Sequence, residues 1–148
     1  MGGHALVFGA SGITGWGVVN ALLSDYPTPD AFDRVTALTN RPLAAEDSGW
    51  PASKKLNIIS GLDLLSGEQA ALEKCMRNQI PRIDSVSHVY FFAYIYNADN
   101  ETEIRINVDL LRRAVTAVDN LSDKLVFVVL PTGVKASRFL SWTVTYCR

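Results

Sequence analysis

Three evenly spaced glycines directly after a short apolar run constrain this chain more than any other feature. The run is Ala5-Leu-Val-Phe8, and the glycines are Gly9, Gly12 and Gly15. An apolar run of this length that ends at a glycine is typical of a buried parallel strand. The next residues, from about 12 to 24, place their apolar side chains at helical spacing. The pattern therefore predicts a strand, a tight glycine loop and a helix.

The spacing G-x-x-G-x-x-G is a variant of the loop that holds the pyrophosphate of a dinucleotide. Glycine is needed where the backbone turns sharply, where it approaches a phosphate closely, and where the helix packs on the strand. The start of the helix adds unpaired N–H groups and the positive end of its dipole. We therefore predict a nucleotide site here, with a purely structural glycine turn as the alternative. The predicted contributors are Gly9, Ser11, Gly12, Ile13, Thr14 and Gly15.

Strand and helix patterns alternate along the rest of the chain. Further strands are predicted at 35–39, 56–59, 86–92 and 125–130, and further helices at 67–78 and 102–120. In the last helix an apolar stripe includes Leu110 and Ala114, while Arg112 and Arg113 are assigned to the solvent side. Residues 43–54 are predicted to be a loop. The alternation predicts an α/β fold with a parallel sheet of about five strands, covered on both faces.

Composition narrows the class of protein further. The 148 residues fit one domain, and 14 basic against 15 acidic residues leave a net charge of −1, which argues against a nucleic-acid partner. No charged residue precedes Asp25, but six glycines and no Lys or Arg in that stretch argue against a signal peptide or membrane segment. Cys75 and Cys147 form no disulfide framework and no metal-like spacing with His4 or His88. We expect reduced thiols, no metal and a cytoplasmic location.

The end of the second predicted strand indicates which dinucleotide would bind. An NAD site usually carries an acidic residue about twenty residues past the loop, to hold the ribose 2′-hydroxyl. Here the strand ends in Thr39-Asn40-Arg41, and no acidic residue follows before Glu46. The planar guanidinium of Arg41 suits a 2′-phosphate. Asn40 and Arg41 therefore favour NADP over NAD, the alternative being that Arg41 is a solvated residue at the strand end.

Two further candidates follow strands at the same edge of the predicted sheet. Asp63 comes just after the third strand, where it would contact the adenine amino group or serve as an N-cap or turn carboxylate. Ala93 follows the fourth strand, where a small side chain would let a cofactor pass closely. Tyr94 and Tyr96 are interpreted as packing or loop residues.

Five motifs occur in an order that resembles a known family. They are Gly9-Ala-Ser-Gly-Ile-Thr-Gly15, Asn40-Arg-Pro42, His88-Val-Tyr-Phe-Phe-Ala-Tyr94, Asn107-Val-Asp-Leu-Leu111 and Leu130-Pro-Thr-Gly-Val-Lys135. Together they resemble the extended and atypical short-chain dehydrogenases/reductases, and most closely the progesterone 5β-reductase/iridoid synthase-like group, over about residues 4–136. The resemblance implies a Rossmann-like doubly wound domain at 1–136, NADPH as hydride donor and an enone or carbonyl substrate.

The resemblance also assigns roles to single residues. The glycine loop, Asn40, Arg41, Asp63 and Ala93 match cofactor positions, and Lys135 matches the catalytic lysine of the family. The family uses a tyrosine further along its chain, and none of the five tyrosines here is followed four residues later by lysine. We therefore expect the catalytic tyrosine and the substrate-binding part to be absent. The alternative for Lys135 is an exposed lysine after a strand.

The last residues, 137–148, depart from the resemblance. Trp142, Val144 and Tyr146 alternate with Ser or Thr, as in an amphipathic strand. Too few residues precede this strand for a parallel crossover, so it would pair antiparallel or in another chain. We expect either a tail that mediates a homo-oligomer or a frayed terminus.

Three function classes follow from the sequence. We favour an NADP(H)-binding or regulatory form without its own catalysis. The alternatives are an active NADPH-dependent reductase assembled as an oligomer, and an interaction protein that no longer binds nucleotide.

Overall fold

The structure, a computed structural model, describes residues 2–131 as an α/β fold built on a single parallel sheet. Its strands are β1 (Gly3–Phe8), β2 (Phe32–Thr39), β3 (Leu56–Ser60), β4 (His88–Phe91) and β5 (Phe127–Val129). Its helices are α1 (Ile13–Leu23), α2 (Gln69–Gln79) and α3 (Asn100–Leu121), with a 3₁₀ turn at Ile83–Ser85. Every strand and helix predicted up to residue 131 is present, with ends that differ by a few residues.

The strands lie in the order β3-β2-β1-β4-β5, and every neighbouring pair is parallel. The chain moves outward from β1 to β3 and then crosses back to place β4 on the other side of β1. The order therefore reverses between β1 and β4, which is the point where open α/β sheets bind ligands. This topology confirms the predicted Rossmann-like, doubly wound sheet of five strands.

Both faces of the sheet are covered, as the apolar run Ala5–Phe8 of β1 requires. Ala5 and Val7 face α1, where they pack in one cluster with Val19 and Leu22. The alternate residues of β1 face the other way, into a cluster with α2 and α3 whose members include Leu6, Phe8, Leu72, Met76, Leu110 and Ala114. Burying one such leucine or valine contributes about 1.5–3 kcal/mol. A strand that is buried on both faces has no polar alternation, and that is why its sequence shows none.

The strand β2 begins earlier than the sequence predicts. Its first residue, Phe32, is buried and packs edge-to-face against His88 of β4, with ring centroids 5.0 Å apart. Residues 33 and 34 are polar, so the apolar run that marks a strand starts only at Val35. Backbone pairing of Phe32 with Gly3 of β1 extends the strand beyond that run.

The predicted loop at 43–54 has no helix or strand, but it is anchored to α1 by two tryptophans. The indole Nε1 of Trp16 donates to the carbonyl of Ser48 at 2.8 Å, and Nε1 of Trp50 donates to the carbonyl of Trp16 at 3.1 Å. Trp50 is buried against the α1 face of the sheet. The loop takes the place of a helix between β2 and β3, and these contacts hold it there.

A buried histidine lies on β1, away from the carboxyl ends of the strands. Nε2 of His4 is 2.9 Å from the hydroxyl of Thr36, and Nδ1 is 2.9 Å from the hydroxyl of Ser85. Burial, with a smaller effect of Arg34, lowers the pKa of His4 from 6.5 to about 4. His4 is therefore neutral at pH 7 and serves as a hydrogen-bonding link between β1, β2 and the 3₁₀ turn.

Some sequence predictions fall outside residues 2–131, namely Lys135, the tail at 137–148 and its added strand. Within the part of the chain that the structure describes, no helix is long and apolar enough to cross a membrane. The cytoplasmic location stays a prediction.

Candidate functional site

The carboxyl ends of four strands meet at one edge of the sheet. Phe8 of β1 is in register with Leu38 of β2 and with Phe91 of β4, and Thr39 of β2 is in register with Ser60 of β3. The four following loops therefore start at one level. They surround an open cleft of about 320 Å³, a volume within the range of small-molecule sites.

Two of the glycines in the loop after β1 are required by close backbone packing. Gly9 has a φ of +71°, and a Cβ there would lie 2.7 Å from the backbone nitrogen of Ala93. A Cβ on Gly15 would lie 2.3 Å from the carbonyl oxygen of Gly9. Both distances are too short for a real side chain. These glycines bring β1, α1 and the loop after β4 into contact at the centre of the cleft.

The middle glycine is different, because the chain itself leaves room for a side chain there. A Cβ on Gly12 would have only one close neighbour, the Gly9 carbonyl oxygen at 3.4 Å, which is an ordinary contact. Gly12 is exposed and lines the cleft. Packing within the protein therefore does not require glycine at position 12, whereas a ligand held close to the backbone would.

The start of α1 points unpaired donors toward this region. Gly12 is the N-cap, no side chain caps the helix, and the first turn carries no acidic residue. The backbone N–H groups of the first turn have no partner within the helix. Ser11 lines the cleft, whereas Ile13 and Thr14 are exposed and do not line it. Both residues lie in the first turn of α1, at the positive end of the helix dipole, and their predicted contribution to the site stays a prediction.

The turn after β2 is fixed by a short relay of hydrogen bonds. The hydroxyl of Thr39 donates to the carbonyl of Arg41 at 2.8 Å, and the hydroxyl of Ser60 lies 2.8 Å from the Thr39 hydroxyl. Asn40 lines the cleft. Arg41 is exposed and lies one residue beyond the lining. Thr39, which the sequence analysis did not single out, sets the direction in which Asn40 and Arg41 leave the sheet.

Asp63 takes the role of a turn carboxylate and also lines the cleft. Its Oδ1 accepts from the backbone N–H of Leu65 at 2.9 Å and of Ser66 at 3.2 Å. Asp63 therefore acts as the turn carboxylate that was one of its two predicted roles, and its side chain remains exposed at the cleft. Around Asp63 the lining is apolar, and it is formed by Leu38, Leu62, Leu64, Leu65 and Leu110. This leucine wall, which the sequence analysis missed, is suited to a flat aromatic ring beside a carboxylate.

The loop after β4 carries Ala93 and is held from α3. Asn107 makes a two-point contact with Ile95, whose N–H donates to Oδ1 at 2.9 Å and whose carbonyl accepts from Nδ2 at 2.8 Å. Glu103 accepts from the N–H of Asn97 at 2.8 Å and from the hydroxyl of Tyr94. From the sequence, Asn107 was recognised only as part of a motif, and Glu103 was not recognised. Both side chains fix the loop that places Ala93 against Gly9.

Tyr94 is the one tyrosine among the residues that line this cleft. Its side chain is 62% exposed, and the bond to Glu103 raises the pKa of its phenol above the ordinary value. The sequence analysis interpreted it as a packing or loop residue. It is a loop residue, and its hydroxyl is engaged with Glu103 at the cleft.

Of the predicted site residues, Gly9, Ser11, Gly12, Asn40, Asp63 and Ala93 come together in the lining of the cleft. Gly15 is buried directly beneath the glycine loop. This fold and this edge, with a glycine loop at the topological switch point, define a Rossmann-type dinucleotide-binding domain.

The family model of the PRISE-like Rossmann-fold domain matches residues 5–141, nearly the whole chain. The chain belongs to this family, which confirms the resemblance drawn from its motifs, and the match extends to residue 141, five residues beyond the point where the resemblance was expected to stop.

Curated relatives agree with the family. The chain is 40% identical over 131 residues to the short chain dehydrogenase sirQ of Leptosphaeria maculans, and 38% identical over 136 residues to the short chain dehydrogenase ausT of Aspergillus calidoustus. These matches cover 87% and 89% of this chain but only 33% of each relative. The chain thus spans about a third of the length of these relatives. It is a Rossmann domain of the short-chain dehydrogenase class of oxidoreductases, and this class implies a nicotinamide dinucleotide cofactor.

Solved structures share the fold. A monomeric L-threonine 3-dehydrogenase from a metagenome database matches 83% of this chain and 34% of its own, with a TM-score of 0.51 and 18% identity. A short chain dehydrogenase family protein from Francisella tularensis matches 82% of this chain and 47% of its own, with a TM-score of 0.52 and 16% identity.

Proposed function

We propose that this chain binds NADP(H) in the cleft at the carboxyl edge of its sheet and acts as a cofactor-binding or regulatory form of a reductase. The observation that carries the proposal is the glycine loop. Gly9 and Gly15 are explained by packing, whereas packing leaves room for a side chain at Gly12, as expected where a ligand approaches the backbone from the cleft. The pyrophosphate of a dinucleotide is a group of that kind, and the amides at the start of α1 are suited to its charge.

The remaining lining fits the other parts of the molecule. The leucine wall beside Asp63 would hold the adenine ring, with the free oxygen of Asp63 directed to its amino group. Ala93 lies where the chain from adenine to nicotinamide would cross the end of β1. When bound, NADPH would supply the hydride that this class of enzyme transfers. The residues of this chain hold and orient it.

The preference for NADP over NAD rests on the turn after β2. Asn40 lines the cleft, Arg41 follows it in an exposed position, and no carboxylate lies at this turn to hold a ribose 2′-hydroxyl. A guanidinium at the rim can rotate onto a 2′-phosphate, with which it forms two parallel hydrogen bonds. We therefore assign Arg41, together with Asn40, to the 2′-phosphate.

We propose that residues 1–136 constitute the cofactor domain and that catalysis needs more than they supply. Lys135 matches the lysine of the family, but a reduction also requires a donor placed at the substrate oxygen and walls that exclude water. No tyrosine of this sequence stands four residues before a lysine. The expected substrate class, if a complete site forms, is an enone or another carbonyl compound.

A second candidate is an active reductase assembled from several chains. It is favoured by the outer edge of the sheet, since β5 pairs only with β4 among residues 2–131, and Val126 and Phe127 beside that edge are 69% and 48% exposed. Apolar strand edges of this kind promote association. NADPH consumption with a panel of enones and aldehydes, followed at several protein concentrations, distinguishes the two. A rate per chain that rises with concentration favours the assembled enzyme, and no consumption favours the binding form.

The proposed site is tested by mapping amide hydrogen exchange with and without NADPH. We expect protection at residues 9–15, around Asn40 and Asp63, and at Ala93, and no change at the far end of the sheet around His4. Protection confined to other regions, or none at saturating NADPH, would show that the cleft is not the site.

A further inference from the structure

An arginine of α3 holds the loop that connects β3 to α2. The guanidinium Nη2 of Arg113 donates to the carbonyl of Gly67 at 2.8 Å and to the carbonyl of Ser66 at 3.1 Å. A further hydrogen bond joins the start of α2 to α3, because Nε2 of Gln69 donates to the backbone carbonyl of Arg113 at 3.1 Å. Two consecutive carbonyls of the loop are thereby bound to α3, in addition to the packing of Leu62 and Leu64 in one cluster with Leu110.

Arg113 is not the solvated residue that the helical pattern predicts. Its Nε–H is buried and has no hydrogen-bond partner among the described residues. A buried unpaired N–H costs free energy. The two carbonyl contacts of Nη2 place the head of the arginine at this loop. Arg112, its neighbour, is exposed and pairs with Asp109 on the same helix.

The loop that Arg113 holds forms one wall of the cleft. Asp63 and Leu65 line the cleft, and Oδ1 of Asp63 accepts from the N–H groups of Leu65 and Ser66. Ser66 thus belongs to both sets of contacts, since its N–H is bound by Asp63 and its carbonyl by Arg113. Loss of the Arg113 contact would therefore affect the position of Ser66, and through Ser66 the position of the Asp63 carboxylate at the cleft.

We propose that Arg113 is a positioning residue for the adenine side of the cleft, acting through the turn that carries Asp63 and Leu65. The inference rests on the proposed function, because it assumes that an adenine nucleotide occupies the leucine wall. Arg113 does not line the cleft, so its effect is on the shape of the site and on the direction of the Asp63 carboxylate.

The test compares Arg113→Gln, Arg113→Lys and Arg112→Gln in the full chain. The probe is 2′,5′-ADP, which carries the adenine half of NADPH without nicotinamide, and the affinity is measured by calorimetry. We expect Arg113→Gln to weaken binding about tenfold, as loss of a charged hydrogen-bond donor would. Arg113→Lys, which keeps the charge and one donor, recovers part of the loss. Arg112→Gln, with the same change of charge one residue away, binds as the wild type does.

Amide exchange in the absence of nucleotide separates this inference from the proposed function. Arg113→Gln should speed exchange at Leu65 and Ser66, while Arg112→Gln should not. Unchanged exchange at these amides, or unchanged 2′,5′-ADP affinity in Arg113→Gln, would overturn the positioning role while wild-type binding still supported the proposed function. A wild-type chain that does not bind 2′,5′-ADP would overturn both. Should Arg113→Gln not fold, Arg113→Lys carries the same two measurements.

Discussion

The carbonyl oxygen of Gly9 occupies the space that a side chain on residue 15 would need. A Cβ built on Gly15 lies only 2.3 Å from that oxygen. The first turn of α1 is thus packed against the end of β1 without any intervening side chain. This contact sets where the amides at the start of α1 lie relative to the cleft.

Gly15→Ala should therefore damage both stability and nucleotide binding. The added methyl must push α1 away from β1, and such overpacking costs about 1–3 kcal/mol of unfolding free energy. Because the helix start moves with it, NADPH affinity should fall by about tenfold or more. Urea unfolding and NADPH titration of the purified variant measure the two effects.

Gly17→Ala, in the same helix, is the matched control. A Cβ on Gly17 meets no atom within 4 Å, and the residue is exposed. The change should stabilise the chain by about 0.5–1 kcal/mol, since glycine is a poor helix former, and leave NADPH affinity unchanged. Equal behaviour of the two variants would contradict the close packing assigned to Gly15.

Asn107→Ala should loosen the loop after β4. The variant loses both bonds to Ile95 and a third from Nδ2 to the carbonyl of Glu103 at 2.9 Å. We expect the unfolding free energy to fall by about 1–2 kcal/mol and the Ile95 amide to exchange faster. Asn78→Ala, at an exposed position of α2, controls for loss of the amide side chain. Unchanged exchange at Ile95 in Asn107→Ala would show that the two hydrogen bonds to Asn107 do not hold this loop.

His4 should make the fold sensitive to acid. Its pKa is about 4 in the folded chain and 6.5 in the unfolded chain, so between these values the unfolded state binds more protons. The contribution of His4 is complete above pH 6.5 and is lost as the pH falls toward 4, by at most about 3 kcal/mol.

His4→Gln removes this contribution. Unfolding free energies of wild type and variant, measured by urea titration from about pH 8 to about pH 4, should converge as the pH falls through that window. A difference that stays constant with pH would mean that His4 is not held neutral by burial.

Much of the fold was predictable because its signals are local. The run Ala5–Phe8 is apolar since β1 is buried on both faces, and Gly9 after it has a positive φ that other residues rarely adopt. The start of β2 was predicted late because Phe32 belongs to the strand through its pairing with Gly3 of β1, a residue far away in sequence. Contacts between distant residues leave no periodicity to detect.

The site was predictable in part for the same reason. Residues directly after strands, such as Asn40, Asp63 and Ala93, could be located by counting from each strand end. Arg113 was assigned to solvent because a helical pattern shows which side of a helix is apolar, not what a long side chain reaches. The leucine wall was missed because its members come from three separate segments of the chain.

Arg41→Asp should remove the preference for NADPH over NADH. The change replaces the guanidinium assigned to the 2′-phosphate with a carboxylate suited to a 2′-hydroxyl, so NADPH affinity should fall by about tenfold or more. Arg77→Asp makes the same change of charge at an exposed position of α2 and should leave the ratio of the two affinities unchanged. A ratio that Arg41→Asp does not alter would contradict the role given to Arg41.

The most direct test of the account is a calorimetric titration of the wild-type chain with NADPH and, in parallel, with NADH. We expect one NADPH to bind per chain, with an affinity about tenfold or more above that for NADH. Equal affinities would contradict the NADP preference, and no binding of either dinucleotide would contradict the proposed function itself.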